Sequence, residues 1–120
     1  MNQRRLTFHL RSGPFGTSRS LAGIDAALAA GAFDQTVQVL LSGDGVLLAL
    51  AAQEAQRLEQ KSPEKILSAL PLYDIDALWV DAQALRRRGL GDAALLNNAR
   101  ALEPAAFQRA LADADHVLSF

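Results

Sequence analysis

The sequence predicts an α/β domain, a three-layer α/β/α sandwich built on a mostly parallel sheet of about five strands. Short apolar runs with β-branched residues alternate with longer Ala/Leu-rich stretches of helical period along the whole chain. Gly-, Pro- and Ser-punctuated loops separate them. Such alternation places strands in parallel, with helices covering both faces of the sheet. The 120 residues suit a single domain, spanning 1–120, with no internal repeat, linker or low-complexity segment.

Leu6 to Leu10, bounded by arginines and by Ser12-Gly13-Pro14, reads as the first strand. GPFGTSRS is a loop. From Ser20, LAGIDAALAAGAF sets Leu21, Ile24, Ala27 and Leu28 on one helical face, with Gly31 as terminator. TVQVLL (36–41) is the second strand. After Ser42-Gly43-Asp44-Gly45, VLLALAAQEAQRLEQ reads as helical. Ser62-Pro63-Glu64 starts a further helix, with a hydroxyl cap, proline in the first turn and an acid at the positive dipole end. KILSAL continues it to Pro71. ALWVDA (77–82) is the third strand, and QALRRRG is a short helix stopped by Gly89. A fourth strand is expected around Leu95 to Ala99. Glu103-Pro104 opens a last helix, and His116 to Phe120 forms the terminal strand.

Composition excludes several chemistries. Half the residues are hydrophobic, 21% are charged and the net charge is −1, so no global field attracts nucleic acid or an anionic membrane. With no cysteine in the chain, disulfides, thiolate-bound zinc, iron–sulfur clusters and thiol nucleophiles are ruled out within it. MNQRRLTFHL lacks the character of a signal peptide, and no run approaches the roughly 18 apolar residues of a membrane span. A cytoplasmic protein is expected.

Ligand sites in parallel sheets gather at the carboxyl ends of strands. The SGDG loop at 42–45 lies there, and its glycines allow close backbone approach. It lacks the spacing and the lysine of a phosphate loop, so turn chemistry is its plain reading and contact with a partner the other. RSGPFGTS lies at the same end, where a small anion could meet the following helix start, but an ordinary strand-to-helix loop is its plain reading. Asp74 and Asp76 bracket a turn at the amino end of strand three. Asp81, at its carboxyl end, reads as a helix cap; a pair of carboxylates in opposed environments, which acid/base catalysis needs, is not evident. Arg86, Arg87 and Arg88 are the one basic run. Three successive helical residues cannot all face one phosphate track, so a solvated helix end is the plain reading. His9 and His116 read as structural, with no nucleophile recognisable beside them.

LYDIDALWVDAQALRRRGL resembles a stretch of the TusC/DsrF family. GPFGTSRSLAGIDAALA, SGDGVLLAL and the closing ADADHVLSF are similar to further blocks of that family, in the same order, with 53–65 the weakest part. The resemblance implies a DsrE/DsrF-like sandwich. It implies a cytoplasmic sulfur-relay complex, a dimer of heterotrimers with TusB-like and TusD-like subunits, which passes persulfide sulfur toward 2-thiolation of the tRNA wobble uridine. The relay cysteine of that family belongs chiefly to the TusD-like subunit. Some TusC-like chains carry a cysteine just after Trp-Val, where this chain has Asp81.

The expectation is therefore a non-catalytic partner, not an enzyme, with no cofactor and no metal. tRNA contact would be indirect, and homo-oligomers of the lone chain remain compatible with the sequence. Asp44, Gly45 and Asp81 are the candidate partner-interface residues, because they lie at predicted strand carboxyl ends. The alternatives are a subunit of a Dsr-type sulfur-oxidation relay, or an independent enzyme using the carboxylates of Asp44 and Asp81.

Overall fold

The computed structural model describes residues 5–13, 19–33, 35–51 and 63–120. Five strands form one sheet in the order β4-β3-β2-β1-β5, and every pairing is parallel. The strands are β1 (Arg5–Leu10), β2 (Thr36–Leu41), β3 (Ala77–Asp81), β4 (Ala99–Leu102) and β5 (His116–Ser119). The helices are α1 (Arg19–Ala32), α2 (Pro63–Ser68), α3 (Ala82–Arg87) and α4 (Pro104–Ala112).

Register assigns side chains to the two faces, because successive residues of a strand point to opposite sides. Phe8 pairs with Val39, which pairs with Leu78. Leu10 pairs with Leu41, which pairs with Val80. These residues, with Val37, line the face that packs on Ile24 and Ala27 of α1 and on Leu67 of α2, and all are buried. Phe120 closes that side, stacked on Phe8 with ring centroids 6.5 Å apart.

The opposite face is polar for a buried sheet. Thr7, His9, Gln38, Leu40, Trp79 and Asp81 alternate onto it, and α4 covers it. Gln38 donates from Nε2 to Thr7 Oγ1 at 2.7 Å and to the Ala110 carbonyl of α4 at 2.9 Å. Phe107 of α4 packs against the His9 ring, with centroids 6.0 Å apart. Trp79 is half-covered here.

Several expected boundaries move. Val46 to Ala49, the start of the expected helical run, belong to a 3₁₀ helix, Gly43–Ala49. Leu50 then makes an antiparallel bridge to Leu95, and the Leu96 N–H reaches the Ala49 carbonyl at 2.8 Å. The burial of Val46, Leu48 and Ala49 explains their apolarity. Residues 52–62, with the rest of the expected helical run to Gln60 and the expected Ser62 cap, lie outside the described residues. α2 stops at Ser68, and Leu70–Tyr73 forms a separate 3₁₀ turn containing Pro71.

β4 begins four residues later than the expected start. Leu95 is used by the bridge to Leu50 and Leu96 points into the core, so the strand forms only after the Asn97-Asn98 turn. Gly31 lies within α1 and does not stop it. It packs close to Ile75 and to the Tyr73 carbonyl, which leaves little room for a side chain.

Candidate functional site

At the carboxyl ends of β1, β2 and β3, parallel pairing brings His9, Ser42, Asp44 and Asp81 to one end of the sheet. His9 is opposite Leu40 in register, and Ser42 follows the end of β2 directly. The His9 Nε2 and Ser42 Oγ atoms are 2.6 Å apart. A neutral imidazole either accepts from that hydroxyl or donates to it, according to its tautomer. The hydroxyl beside His9 was missed in the sequence because 33 residues separate the two. The available signal was that both sit at strand carboxyl ends.

Burial, and after it the Arg11 guanidinium, hold the His9 imidazole below its ordinary value, against an upward pull from Asp81. The linkage follows in sign. A folded-state value below the unfolded one, about 6.5, means that the unfolded chain binds the proton more readily. The stabilising contribution of neutral His9 is complete above that value and is lost as pH falls through it toward the folded value. The thermal midpoint is therefore expected to drop between pH 7.5 and 5.5, and His9→Gln to flatten that drop. Equal pH slopes for the two proteins would contradict this.

Asp81 acts as the N-cap of α3. Its Oδ1 accepts from the Gln83 and Ala84 N–H groups at 3.0 and 3.4 Å. These are orphan donors of a helix start, and a side-chain cap of this kind contributes about 1 kcal/mol. Gly89, at φ +70, ends the turn after α3, in the left-handed region that glycine enters freely. The capped helix expected for QALRRRG is thus present.

Asp44 lies in the 3₁₀ helix that follows Ser42 and faces solvent. Its Oδ1 accepts from Arg88 Nη2 at 2.8 Å, while Arg88 Nη1 donates to the Ala84 carbonyl at 3.0 Å. Arg88 therefore ties the loop after β2 to the helix after β3. Arg86 turns the other way and forks onto Glu103, with contacts of 2.9 and 2.8 Å. That bond holds the Glu103 carboxyl below its usual range. Two of the three arginines are thus committed within the chain, and they diverge, which is the solvated-helix-end behaviour expected from their spacing.

Gly45 is buried, and a Cβ at that position would collide with the Leu10 carbonyl oxygen. Its lack of a side chain serves the chain's own β1, and it shapes the loop that carries Asp44 without offering a surface itself. Of the three sequence-predicted interface residues, Asp44 is exposed, Asp81 is half-buried and Gly45 is internal.

This end of the sheet can present hydroxyl, imidazole and carboxylate groups to another molecule. It offers no thiolate, since the chain has no cysteine. Among the described residues, no group of three or more His, Cys, Asp or Glu residues is placed to hold a metal ion. Among them too, no helix is long and apolar enough to cross a membrane.

Comparison with known proteins agrees with the fold. The sequence profile of the DsrE/DsrF-like family matches residues 4–120. A Vibrio parahaemolyticus protein named "Protein TusC homolog" is 36% identical over 116 residues, covering 97% of this chain and 98% of that protein. The crystal structure of the ychN protein from E. coli superposes with a TM-score of 0.84 at 17% identity, covering 99% of this chain and 100% of that one, a likeness of fold. By its sequence over nearly its whole length, and by its five-stranded parallel sheet, the chain belongs to the DsrE/DsrF-like family.

Proposed function

We propose that this chain is a non-catalytic, TusC-like subunit of a cytoplasmic TusBCD-type sulfur-relay complex, which passes persulfide sulfur toward 2-thiolation of the tRNA wobble uridine. One observation carries the reading: a chain of this family, similar throughout to a TusC homologue, contains no cysteine. A relay step needs a thiolate that takes up and releases sulfane sulfur. The thiolate must therefore come from a partner, and this subunit builds and orients the partner's site. TusB-like and TusD-like chains complete a dimer of heterotrimers, and tRNA is met only through the complex.

The end of the sheet bearing Asp44 and Asp81 is the surface we assign to that contact. Gly45 supports it from within by holding the loop against β1. Capping of α3 by Asp81 and the pairing of Asp44 with Arg88 favour a structural use of both carboxylates over acid/base catalysis.

Co-expression with TusB-like and TusD-like chains is expected to give one stable heteromer on size exclusion; a chain that stays free beside both partners would sink the proposal. Asp44→Asn and Asp81→Asn keep hydrogen-bonding side chains, and asparagine remains a competent N-cap. In cells, tRNA 2-thiouridine should fall only in proportion to any lost complex. Loss of thiolation with the complex intact would instead indicate an enzyme built on these carboxylates.

A further inference from the structure

The two edges of the sheet differ. At one, β4 carries its own guard: Arg100 donates from Nη1 to the Asn97 and Ala99 carbonyls, each at 3.2 Å, so a charged side chain occupies backbone acceptors at the rim. At the other, β5 ends the strand order and pairs, among the described strands, with β1 alone. Its sequence, HVLS, has no proline, lysine, arginine or carboxylate. Every residue of it is exposed, Val117 at 44% and Leu118 at 42%. Charges, prolines and bulges are the usual means of keeping a bare edge from pairing with another strand, and β5 has none of them.

The hydrogen bonds of β5 fix which of its backbone groups are spare. Phe120 donates its N–H to the His9 carbonyl, and its own carbonyl accepts from the Arg11 N–H, so both groups face β1. In a parallel ladder this orientation alternates from residue to residue, which turns Leu118 toward β1 and Val117 and Ser119 outward. The N–H and C=O of Val117 and Ser119 therefore stand at the open edge. Register sets the side chains: Leu118, opposite Phe8, lies on the α1 face, and Val117, opposite Thr7, on the α4 face.

We propose that this edge pairs with β5 of a second copy of the chain, antiparallel, about a two-fold axis through Leu118. A two-fold perpendicular to the sheet keeps like faces together, so only residues of matching face meet. With Leu118 on the axis, Val117 of each copy lies opposite Ser119 of the other, and each such pair exchanges both N–H···O bonds. The outward donors and acceptors of the strand are thus matched by its own copy. Leu118 meets Leu118 at a close, non-hydrogen-bonded position and extends the apolar face that holds Phe8 and Phe120. No charge within β5 opposes the approach. Head-to-tail pairing of β5 with β4 is disfavoured, because Arg100 already holds the Ala99 carbonyl. The closed dimer is the form this edge selects, and it goes beyond the relay reading without depending on it.

So short a strand pair is small beside the roughly 800 Å² per partner of stable complexes, so the dimer forms at high concentration and dissociates on dilution. Sedimentation velocity of the isolated chain, over a dilution series from millimolar to micromolar, should follow that change in mass. Leu118→Lys and Leu118→Glu each place like charges on the axis and should be monomeric throughout. Mixed in equal amounts, they should associate at least about tenfold more tightly than either alone, and high salt should weaken the mixture. Misfolded chains would not be rescued by mixing. Val117→Pro removes an outward N–H, leaves the bonds to β1 in place, and should abolish the dimer. A wild-type chain that is monomeric at every concentration, a mixture no tighter than its parts, or a Val117→Pro chain that dimerises like wild type would overturn the inference. So would a Val117→Pro chain that loses its TusB-like or TusD-like partner while the isolated wild-type chain stays monomeric, which would give the edge to a different protein. A dimer that forms as expected in a chain that joins neither partner on size exclusion would overturn the relay reading alone.

Discussion

Gly45→Ala is expected to destabilise the protein by about 3 kcal/mol, on the order of a 10 °C fall in thermal midpoint. The added methyl group would collide with the Leu10 carbonyl oxygen and crowd the Leu10 carbonyl carbon and Arg11 Cα. These are backbone atoms at the end of an interior strand, so no side-chain rotation relieves the contact. Nor can β1 simply move away. The Leu10 carbonyl accepts from the Ser42 N–H at 3.1 Å, and the Arg11 N–H donates to the Phe120 carbonyl at 2.8 Å. Displacing β1 therefore disturbs its neighbours β2 and β5 together.

Gly43→Ala provides the control in the same loop. Gly43 has φ +54, and the nearest atom to an added Cβ is the Arg11 carbonyl oxygen at 3.6 Å, an ordinary contact. Only the conformational cost remains, about 1 kcal/mol. Thermal or denaturant melts of the two variants measure the difference, and equal losses would refute the collision. Because Gly45 adjoins Asp44, its substitution should also weaken the pairing of Asp44 with Arg88. Assembly should then suffer more than the fall in stability alone accounts for.

The reach of sequence reasoning follows from how local each signal is. β2 and β3 were legible because β-branched, apolar runs are short-range features, and so was α4, which opens at Glu103-Pro104. The capping role of Asp81 could be anticipated because the cap and the N–H groups it satisfies are two and three residues apart. The start of the run after Gly45 was harder to read. A short apolar stretch suits a buried 3₁₀ helix followed by a bridge as well as it suits an α-helix, and the deciding partner, Leu95, lies far along the chain.

Strand order was likewise beyond periodicity, because it depends on the connection from β4 across the whole sheet to β5. At the candidate site, composition and loop position picked out Asp44 and Asp81. The contact between His9 and Ser42 needed the register of β1 and β2. The turn at Asp74 and Asp76 was legible, but the exposure of Leu72 beside it is a property of the folded surface.

Replacing Gln38 should cost as much as any core truncation, and the chemistry of the replacement should set the order. Gln38 is 6% exposed and Thr7 is fully buried. One amide nitrogen joins β2 to β1 through Thr7 and to α4 through the Ala110 carbonyl. That carbonyl belongs to the last turn of α4, where intrahelical partners run out. Arg109 and Leu111 pass their carbonyls to the Asp113 and Ala114 N–H groups, and Gln38 serves the one between them. Gln38→Leu keeps much of the volume but strands the Ala110 carbonyl and the Thr7 hydroxyl, a cost of about 3 kcal/mol. Gln38→Glu places an acceptor-only carboxylate against a carbonyl oxygen and should cost about 4 kcal/mol at neutral pH. Desolvation would raise the folded-state value of that carboxyl above its unfolded one. The variant should therefore regain stability relative to wild type as pH falls from 7.5 to 5.5, while Gln38→Leu should not. In both variants α4 should loosen first, read as faster amide exchange along 104–112. Phe107 would then leave the His9 ring, and the pH-sensitive end of the sheet would open to solvent. If both variants melt like wild type, or if the glutamate variant gains nothing in acid, Gln38 is not what holds α4 to the sheet.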